Sequence, residues 1–162
     1  MPDLAGDTAP YAQYRTAVRA EWIDYNGHLH DAGYAIVLSE ANEALLAHLG
    51  LSAAYQAGTG RAMYTVESHI RYLAEASQGD VINAESLLVS ADAKRMRVHT
   101  LLRRADGVTV ATGEYLYLHV DQAVGAVTAM PPDRWAAVSA LLSAHAPLDR
   151  PGYLGGGVGA GR

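Results

Sequence analysis

One short polar segment, EWIDYNGHLHDAGY (residues 21–34), contains the side chains best suited to chemistry. Asp24 carries a carboxylate that can attack a carbonyl carbon or take a proton from water. We expect a helix to begin just after the segment, and the first N–H groups of a helix have no partner within it. Together with the positive end of the helix dipole, these groups can stabilise an oxyanion formed on a carbonyl. The other polar or flexible members of the segment are Asn26, Gly27, His28, His30 and Asp31.

A turn without any function explains the same residues. In an Asp-x-Asn-Gly sequence, the aspartate accepts hydrogen bonds from nearby backbone N–H groups and the glycine adopts a positive φ. His28 and His30 could bind a metal with a third ligand, but their spacing is not that of a zinc site. We expect His28 to order the loop near Asp24, whereas His30 could equally lie in solvent.

Composition limits the class of protein. The chain has 162 residues and a mass of 17.2 kDa, and half of its residues are apolar, which predicts one domain with one core. Its net charge of -5 argues against a nucleic-acid partner. The absence of cysteine excludes disulfides, thiolate metal sites and a cysteine nucleophile. Because we find neither a membrane span nor a signal peptide, we expect a cytoplasmic protein without a membrane partner.

The hydrophobic pattern predicts the elements that position the polar segment. Alternation across residues 14–22 predicts a first strand with one buried face. Apolar residues at three- and four-residue steps predict a long helix over 32–49, capped by Asp31, and a short helical piece over 51–57. Short turns join four β-rich stretches, which predicts an antiparallel meander. These stretches are residues 62–73, 80–91, 95–103 and 108–120.

The order of these elements predicts an α+β domain. A second helix is expected in MPPDRWAAVSALLSAH (residues 130–145), which begins with proline and aspartate. Since few other elements surround the long helix, a curved antiparallel sheet of about five strands should wrap around it. We expect the domain to span residues 14–146, between a tail at 1–13 and a glycine-rich tail at 147–162.

One predicted strand has an unusually polar face. Counting in steps of two places Glu67 and His69 on the same face as Met63, Thr65 and Arg71. This face either belongs to a pocket or is a solvated surface or subunit contact. In a pocket, Glu67 would attract a cationic group or position a water molecule.

Aromatic and basic residues complete the candidate set. The chain has 10 Tyr, 2 Trp and no Phe, and aromatic rings attract quaternary ammonium groups. Lys94, Arg95 and Arg97 form either a solvated turn or a positive patch for phosphates, with Arg103 and Arg104 as further candidates. The aromatic residues able to approach the start of the long helix are Trp22, Tyr25, Tyr34, Tyr64, Tyr72, Tyr115 and Tyr117.

Several runs of the sequence resemble one family. The run WIDYNGHLHDAGY resembles the Asp-x-x-Gly-His segment that opens the long helix in hotdog-fold acyl-CoA thioesterases of the 4-hydroxybenzoyl-CoA thioesterase type. The runs YTVESHIRYLAEASQGD, ADAKRMRVH and ATGEYLYLHVD are similar to the betainyl-CoA thioesterases of carnitine breakdown. The resemblance implies a hotdog fold, no metal or cofactor, and hydrolysis of a short acyl-CoA, foremost betainyl-CoA, to the free acid and coenzyme A. It also implies a site between the subunits of a homodimer or homotetramer.

The resemblance further implies roles for individual residues. Asp24 corresponds to the catalytic carboxylate, acting as nucleophile or as general base. The backbone N–H of Asp31 would bind the thioester oxygen, and Tyr34 lies where the family keeps an aromatic residue on the first helical turn. The Asp31 carboxylate is a departure, because it would oppose an oxyanion unless it faces away as a cap or meets a cation.

Two other functions remain open: a thioesterase for an aromatic or aliphatic acyl-CoA, and a non-catalytic hotdog module that binds acyl-CoA. A hotdog dehydratase is a weaker alternative, because no histidine and aspartate arrangement resembles the hydratase motif.

The predicted site has three parts. The catalytic candidates are Asp24, Asp31, His28 and Glu67; the substrate-binding candidates are Trp22, Tyr25, Gly27, Tyr34 and His69; the coenzyme A candidates are Lys94, Arg95 and Arg97.

Overall fold

The computed structural model describes residues 9–154, and five long strands within this range form one antiparallel sheet. Its strand order is β1-β3-β4-β5-β2, and a two-residue strand, β6, pairs with the end of β5. The strands are β1 (Tyr11–Ala17), β2 (Arg61–Tyr72), β3 (Val81–Asp92), β4 (Arg95–Arg104), β5 (Thr109–Asp121) and β6 (Ala126–Val127). The helices are α1 (Asp31–His48), α2 (Ala53–Thr59) and α3 (Pro132–His145).

The long helix α1 packs against one face of the sheet, called the inner face below. Val37, Leu38 and Leu45 of α1 are fully buried in the core between helix and sheet. Gly113 of β5 permits this close approach, because a Cβ atom there would lie 3.0 Å from Leu38 Cδ1. The predicted α+β class, with a curved antiparallel sheet around one long helix, is confirmed.

The first strand differs from its prediction at both ends. It begins at Tyr11, inside the predicted N-terminal tail, and ends at Ala17, after which Ala20–Trp22 form a short 3₁₀ helix. The physical reason is the length of its neighbour, because β1 pairs with β3 from Ser86 back to Val81, where β3 begins. Beyond that point the chain has no strand to pair with and turns towards α1.

The predicted meander is correct only for β3, β4 and β5. The strand β2 pairs with β5, not with β3, so it lies at the edge of the sheet. Residues 73–80 carry the chain from this edge across to the start of β3. Their hydrogen bonds explain the crossing: Leu73 N–H donates to Val110 O, and Ala76 O accepts from Leu29 N–H.

The start of α1 also differs from its prediction. The N-cap is His30, whose Nδ1 accepts the Gly33 N–H at 2.9 Å, and Asp31 is the first helical residue. The C-terminal helix α3 is confirmed. Within residues 9–154, no helix is long and apolar enough to cross a membrane.

Part of the predicted C-terminal tail packs on the sheet. Tyr153 contacts the Nε2 of His99 through its hydroxyl at 3.1 Å, and the Arg71 guanidinium lies 4.2 Å from the centre of its ring. These contacts explain why the chain beyond α3 does not leave the domain at residue 147. Residues 1–8 and 155–162 of the predicted tails lie outside the described residues.

Candidate active site

A cavity of about 560 Å³ lies at the start of α1. Its first side is the loop before α1 and the first turn of the helix, with Asp24, His28, Asp31 and Tyr34. Its second side is the end of β2 and the residues that follow, from Tyr72 to Glu75. We call residues 73–76 the strap. The structure thus brings four of the predicted site residues, Asp24, His28, Asp31 and Tyr34, to one cavity.

The loop before α1 is a tight hairpin. Asp24 N–H donates to His28 O and Gly27 N–H donates to Asp24 O, both at 3.0 Å. Gly27 has a φ of 82°, a conformation that glycine adopts without strain. A backbone bridge between Ile23 and Leu29 closes the base of the hairpin. The turn chemistry predicted from Asp-x-Asn-Gly is therefore present, and it places Asp24 at the wall of the cavity.

Hydrogen bonds keep Asp24 ionised. Partial loss of water by itself raises the pKa of Asp24, but donors from Asn26 and the backbone of His28 outweigh it and hold the pKa below its usual range. Asp24 Oδ1 accepts the Asn26 backbone N–H at 2.8 Å, and Oδ2 accepts its side-chain amide at 3.1 Å. The carboxylate therefore remains charged throughout the neutral range.

Asn26→Ala should move the acid limb of any activity that needs ionised Asp24 to higher pH. The substitution removes the side-chain donor that favours the charged carboxylate, so the pKa of Asp24 rises and protonation begins earlier as the pH falls. The measurement is kcat/KM from about pH 2.5 to 7, a window that includes the range below the usual aspartate pKa, with folding checked at each pH. Gln78→Ala, which removes an exposed amide outside the cavity, is the control. An unshifted limb in Asn26→Ala would contradict this account.

The first residue of α1 offers a free backbone donor. Across residues 9–154, the Asp31 N–H meets no hydrogen-bond acceptor, whereas the next N–H, that of Ala32, donates to Asp31 Oδ1 at 2.8 Å. The Asp31 side chain thus serves as a local cap of the first turn. Asp31 also lines the cavity, and a backbone N–H without an acceptor is the type of donor that an oxyanion requires.

The strap is held in place by three neighbours. Tyr34 OH donates to Ala74 O at 3.0 Å, and burial raises the pKa of this phenol, which keeps it a donor. Arg104 Nη1 donates to Glu75 O at 2.9 Å, and Leu29 N–H donates to Ala76 O at 2.8 Å. Helix, loop and sheet therefore fix the second wall of the cavity against the first.

Glu75 is a cavity residue that our sequence reasoning missed. Its carboxylate lies 3.3 Å from the Nε2 of His28 and so reaches the loop that carries Asp24. Tyr72, half exposed, meets the Tyr34 ring edge to face with centroids 5.6 Å apart. Both Tyr72 and Glu75 lie within the run YTVESHIRYLAEASQGD, so the resemblance covered them, but no local pattern predicted that the strap would fold back onto α1.

The predicted face of β2 is wrong because of a β-bulge at Val66. Thr65 pairs with Tyr117, whereas Glu67 pairs with Leu116, its neighbour on β5. Paired residues share a face, so Thr65 lies on the inner face and Glu67 on the outer face. His69, which pairs with Glu114, follows Glu67 to the outer face. The structure therefore does not bring Glu67 or His69 to the cavity.

Two predicted aromatic ligands also lie elsewhere. Trp22 is buried in the core beneath the loop, with the Arg19 guanidinium 4.5 Å from its ring centre. Tyr25 points into solvent, with 97% of its surface exposed. Neither ring lines the cavity.

The predicted basic patch is largely engaged with carboxylates. Arg95 Nε lies 2.6 Å from Asp92 Oδ2, and Arg97 forms an ion pair with Glu114. Lys94 lies at the β3–β4 turn, where its carbonyl accepts the His119 N–H. The strap meets β5 at Val110 instead, and residues 110–119 of an extended strand span about 30 Å. Within one protomer, the structure places this turn far from the cavity.

Further members of the predicted set have structural roles. Arg103 pairs with Glu85 at 3.2 Å, and Arg104 pairs with Asp106 at 2.7 Å in addition to holding the strap. In the part of the chain that the structure describes, no group of three or more His, Asp or Glu side chains is placed to hold a metal ion.

Comparisons with known proteins identify the family and the fold. A profile of the Thioesterase-like superfamily matches residues 18–141. A betainyl-CoA thioesterase of Pseudomonas aeruginosa is 35% identical over 147 residues, which cover 90% of this chain and 92% of that protein. The structure of a hypothetical protein from Staphylococcus aureus in complex with CoA is similar with a TM-score of 0.83 and 27% identity, covering 91% of this chain and 94% of the other. The fold is therefore the hotdog fold, and the chain belongs to the Thioesterase-like superfamily.

A longer relative carries a second activity in its name. The L-carnitine dehydrogenase/betainyl-CoA thioesterase of Agrobacterium fabrum is 42% identical over 154 residues, which cover 94% of this chain. The aligned region covers only 31% of the length of that relative. The chain thus spans about a third of the length of this two-function protein.

Proposed function

We propose that this protein hydrolyses a short acyl-CoA thioester at the cavity beside α1, with Asp24 as the catalytic carboxylate. One observation carries the proposal: the ionised carboxylate of Asp24 and the free backbone N–H of Asp31 belong to the same cavity. A thioester carbonyl needs both, because attack requires an electron pair and the oxygen then becomes negative. Membership of the Thioesterase-like superfamily supports the same conclusion.

The reaction replaces the C–S bond of the thioester with a C–O bond. The oxygen comes from water, and coenzyme A leaves as a thiolate that takes up a proton. Asp24 either attacks the carbonyl carbon itself, which gives a mixed anhydride that water then hydrolyses, or takes the proton from an attacking water. The ionised carboxylate of Asp24 is competent for either route. In both routes, the Asp31 N–H stabilises the oxyanion.

We further propose betainyl-CoA as the substrate. The names of the relatives from Pseudomonas aeruginosa and Agrobacterium fabrum support this choice. The charge of the cavity supports it as well, because none of the residues that line it is a lysine or an arginine, whereas three are carboxylates. A cationic acyl group suits such a cavity better than an anionic one. A coenzyme A thioester as substrate also supports a cytoplasmic location.

The proposal includes self-association through β2. This strand lies at the edge of the sheet, pairs with β5 alone, and exposes about half of the side chains of Val66 and Tyr72. An edge of this kind invites pairing with a second copy. We therefore propose a homodimer as the smallest unit, with a homotetramer as an extension. Light scattering that returned the 17.2 kDa mass of one chain would contradict this part of the proposal.

A panel of acyl-CoA thioesters tests the function. Betainyl-, butyryl- and benzoyl-CoA would be incubated with the purified protein, and release of the free thiol would be followed with a thiol reagent. We expect kcat/KM to be highest for betainyl-CoA. Preference for butyryl- or benzoyl-CoA would replace the substrate but keep the reaction. Binding of acyl-CoA without turnover of any thioester would contradict the proposed hydrolysis and indicate a binding module.

A further inference from the structure

We propose that Glu75, backed by the aromatic pair Tyr34 and Tyr72, is the residue that selects a cationic acyl group. This inference rests on the proposed function and names a specificity-determining residue within the same cavity. Glu75 and Tyr72 come from the strap and from the end of β2, and not from the loop that carries Asp24. The selecting residues and Asp24 thus come from two different segments of one cavity, which meet at the contact between Glu75 and His28.

The chemistry of the substrate restricts where its cation can bind. In a betainyl thioester the quaternary nitrogen is bonded to the carbon next to the carbonyl. It therefore lies about 2.5 Å from the carbonyl carbon, as the N and C atoms of one amino-acid residue do. Any group that recognises this cation must line the cavity that holds the carbonyl. Glu75 meets this condition, whereas Glu67, on the outer face of β2, does not.

The other two carboxylates of the cavity have different tasks. Asp24 is held by Asn26 and is assigned to the reaction, and Asp31 Oδ1 accepts the Ala32 N–H. The Glu75 side chain is assigned no step of the proposed reaction; its carboxylate lies 3.3 Å from the Nε2 of His28, and three quarters of its surface is exposed. Its backbone is fixed, because Arg104 binds its carbonyl and Leu29 binds that of the next residue. The strap thus presents a carboxylate to the cavity, next to His28 of the loop that carries Asp24.

The aromatic pair supplies the second half of the recognition. A trimethylammonium group has no N–H to donate, so it is held by ring faces and by the field of a carboxylate. Tyr34 is buried and fixed by its hydrogen bond to Ala74 O, so it supports the half-exposed Tyr72 ring, which stands against it at an interplanar angle of 72° and is the ring a cation can reach. Both rings line the same cavity as Glu75.

Glu75→Gln tests the inference with a pair of substrates that differ only in charge. The neutral partner of betainyl-CoA is 3,3-dimethylbutanoyl-CoA, in which a tert-butyl group replaces the trimethylammonium group. The quantity to compare is the ratio of kcat/KM for the two substrates, since comparison across variants cancels their different intrinsic reactivity. We expect Glu75→Gln to lower this ratio about five- to tenfold, through the cationic substrate. Rising ionic strength should lower the wild-type ratio more than that of the variant.

Glu21→Gln is the matched control. Glu21 is an exposed carboxylate on the Ala20–Trp22 turn that does not line the cavity, so its loss changes the net charge equally. We expect it to leave the ratio unchanged. An equal loss on both substrates in Glu75→Gln would overturn the inference, because Glu75 would then only position His28. An unchanged ratio would overturn it too. If the wild-type protein cleaved neither thioester, the proposed function itself would fail.

Tyr72→Leu and Tyr72→Phe test the aromatic half. Leucine keeps an apolar wall without a π face, whereas phenylalanine keeps the π face without the hydroxyl. We expect the leucine variant to lower the ratio about two- to fivefold and the phenylalanine variant to preserve it. Equal ratios in the two variants would exclude Tyr72 from cation recognition.

Discussion

Asp24→Asn is expected to lower kcat for acyl-CoA hydrolysis by about 10²- to 10⁴-fold while the protein stays folded. The amide has the same shape as the carboxylate but can neither attack a carbonyl nor accept a proton. Its oxygen can still accept the Asn26 backbone N–H, so the hairpin keeps one of its two bonds to this side chain. Steady-state kinetics of thiol release measure the loss.

Three controls separate loss of chemistry from loss of structure. The melting temperature should change little, since Asp24 lies in an exposed loop outside the core. The dissociation constant for free coenzyme A should also stay the same. Asn26→Ala keeps Asp24 and should retain most of its activity at neutral pH. Near wild-type turnover by Asp24→Asn would remove Asp24 from the reaction.

Isotope labelling then separates direct attack from general-base catalysis. During a single turnover in ¹⁸O-water, hydrolysis of an Asp24 anhydride at the Asp24 carbon places the label in the protein. If Asp24 only takes a proton from water, all of the label appears in the released acid. Mass spectrometry of the peptide that contains Asp24 detects the label. Label in the peptide would show direct attack by Asp24, whereas label in the acid alone is expected for a general base or for water attack at the acyl carbon of the anhydride.

The site residues that sequence could predict are those set by local structure. Asp24 and Asp31 belong to a hairpin and a helix start, whose turn residues, glycine and amphipathic pattern all lie within a few positions of each other. The sequence predicts Asp31 as the cap of that helix, but the cap is His30, one residue earlier, because its imidazole Nδ1 accepts the Gly33 N–H. Local patterns therefore placed Asp24 and Asp31 beside the start of α1, where both line the cavity.

The second side of the cavity depends on contacts that local patterns do not contain. Glu75 reaches the cavity because β2 pairs with β5 and the strap then crosses to the helix. Glu67 does not line the cavity, because one extra residue, Val66, reverses which face of the sheet the following residues of β2 occupy. Both outcomes depend on strand order and register, which are set by partners about fifty residues away. Counting in steps of two could reveal neither.

The surroundings of Arg97 also depend on cross-strand register, which local patterns do not contain. The sequence offers Arg97 as part of a positive patch for phosphates, but cross-strand register places its guanidinium against Glu114, which is only 4% exposed. Arg97→Leu is therefore expected to lower the free energy of unfolding by about 3–5 kcal/mol, because a buried carboxylate loses its cation. Urea unfolding measures the change. The expected effect on KM for acyl-CoA is small in the fraction that stays folded.

Two further variants make this prediction specific. Replacing both partners, Arg97→Leu with Glu114→Leu, should recover most of the lost stability, since two apolar side chains leave no buried charge. Lys94→Ala, at the exposed β3–β4 turn, should change the free energy of unfolding by less than about 0.5 kcal/mol. A stable Arg97→Leu protein with a raised KM would instead return Arg97 to the coenzyme A site. In that case the ion pair with Glu114 would contribute little to the fold, and the outer face of the sheet would be a binding surface.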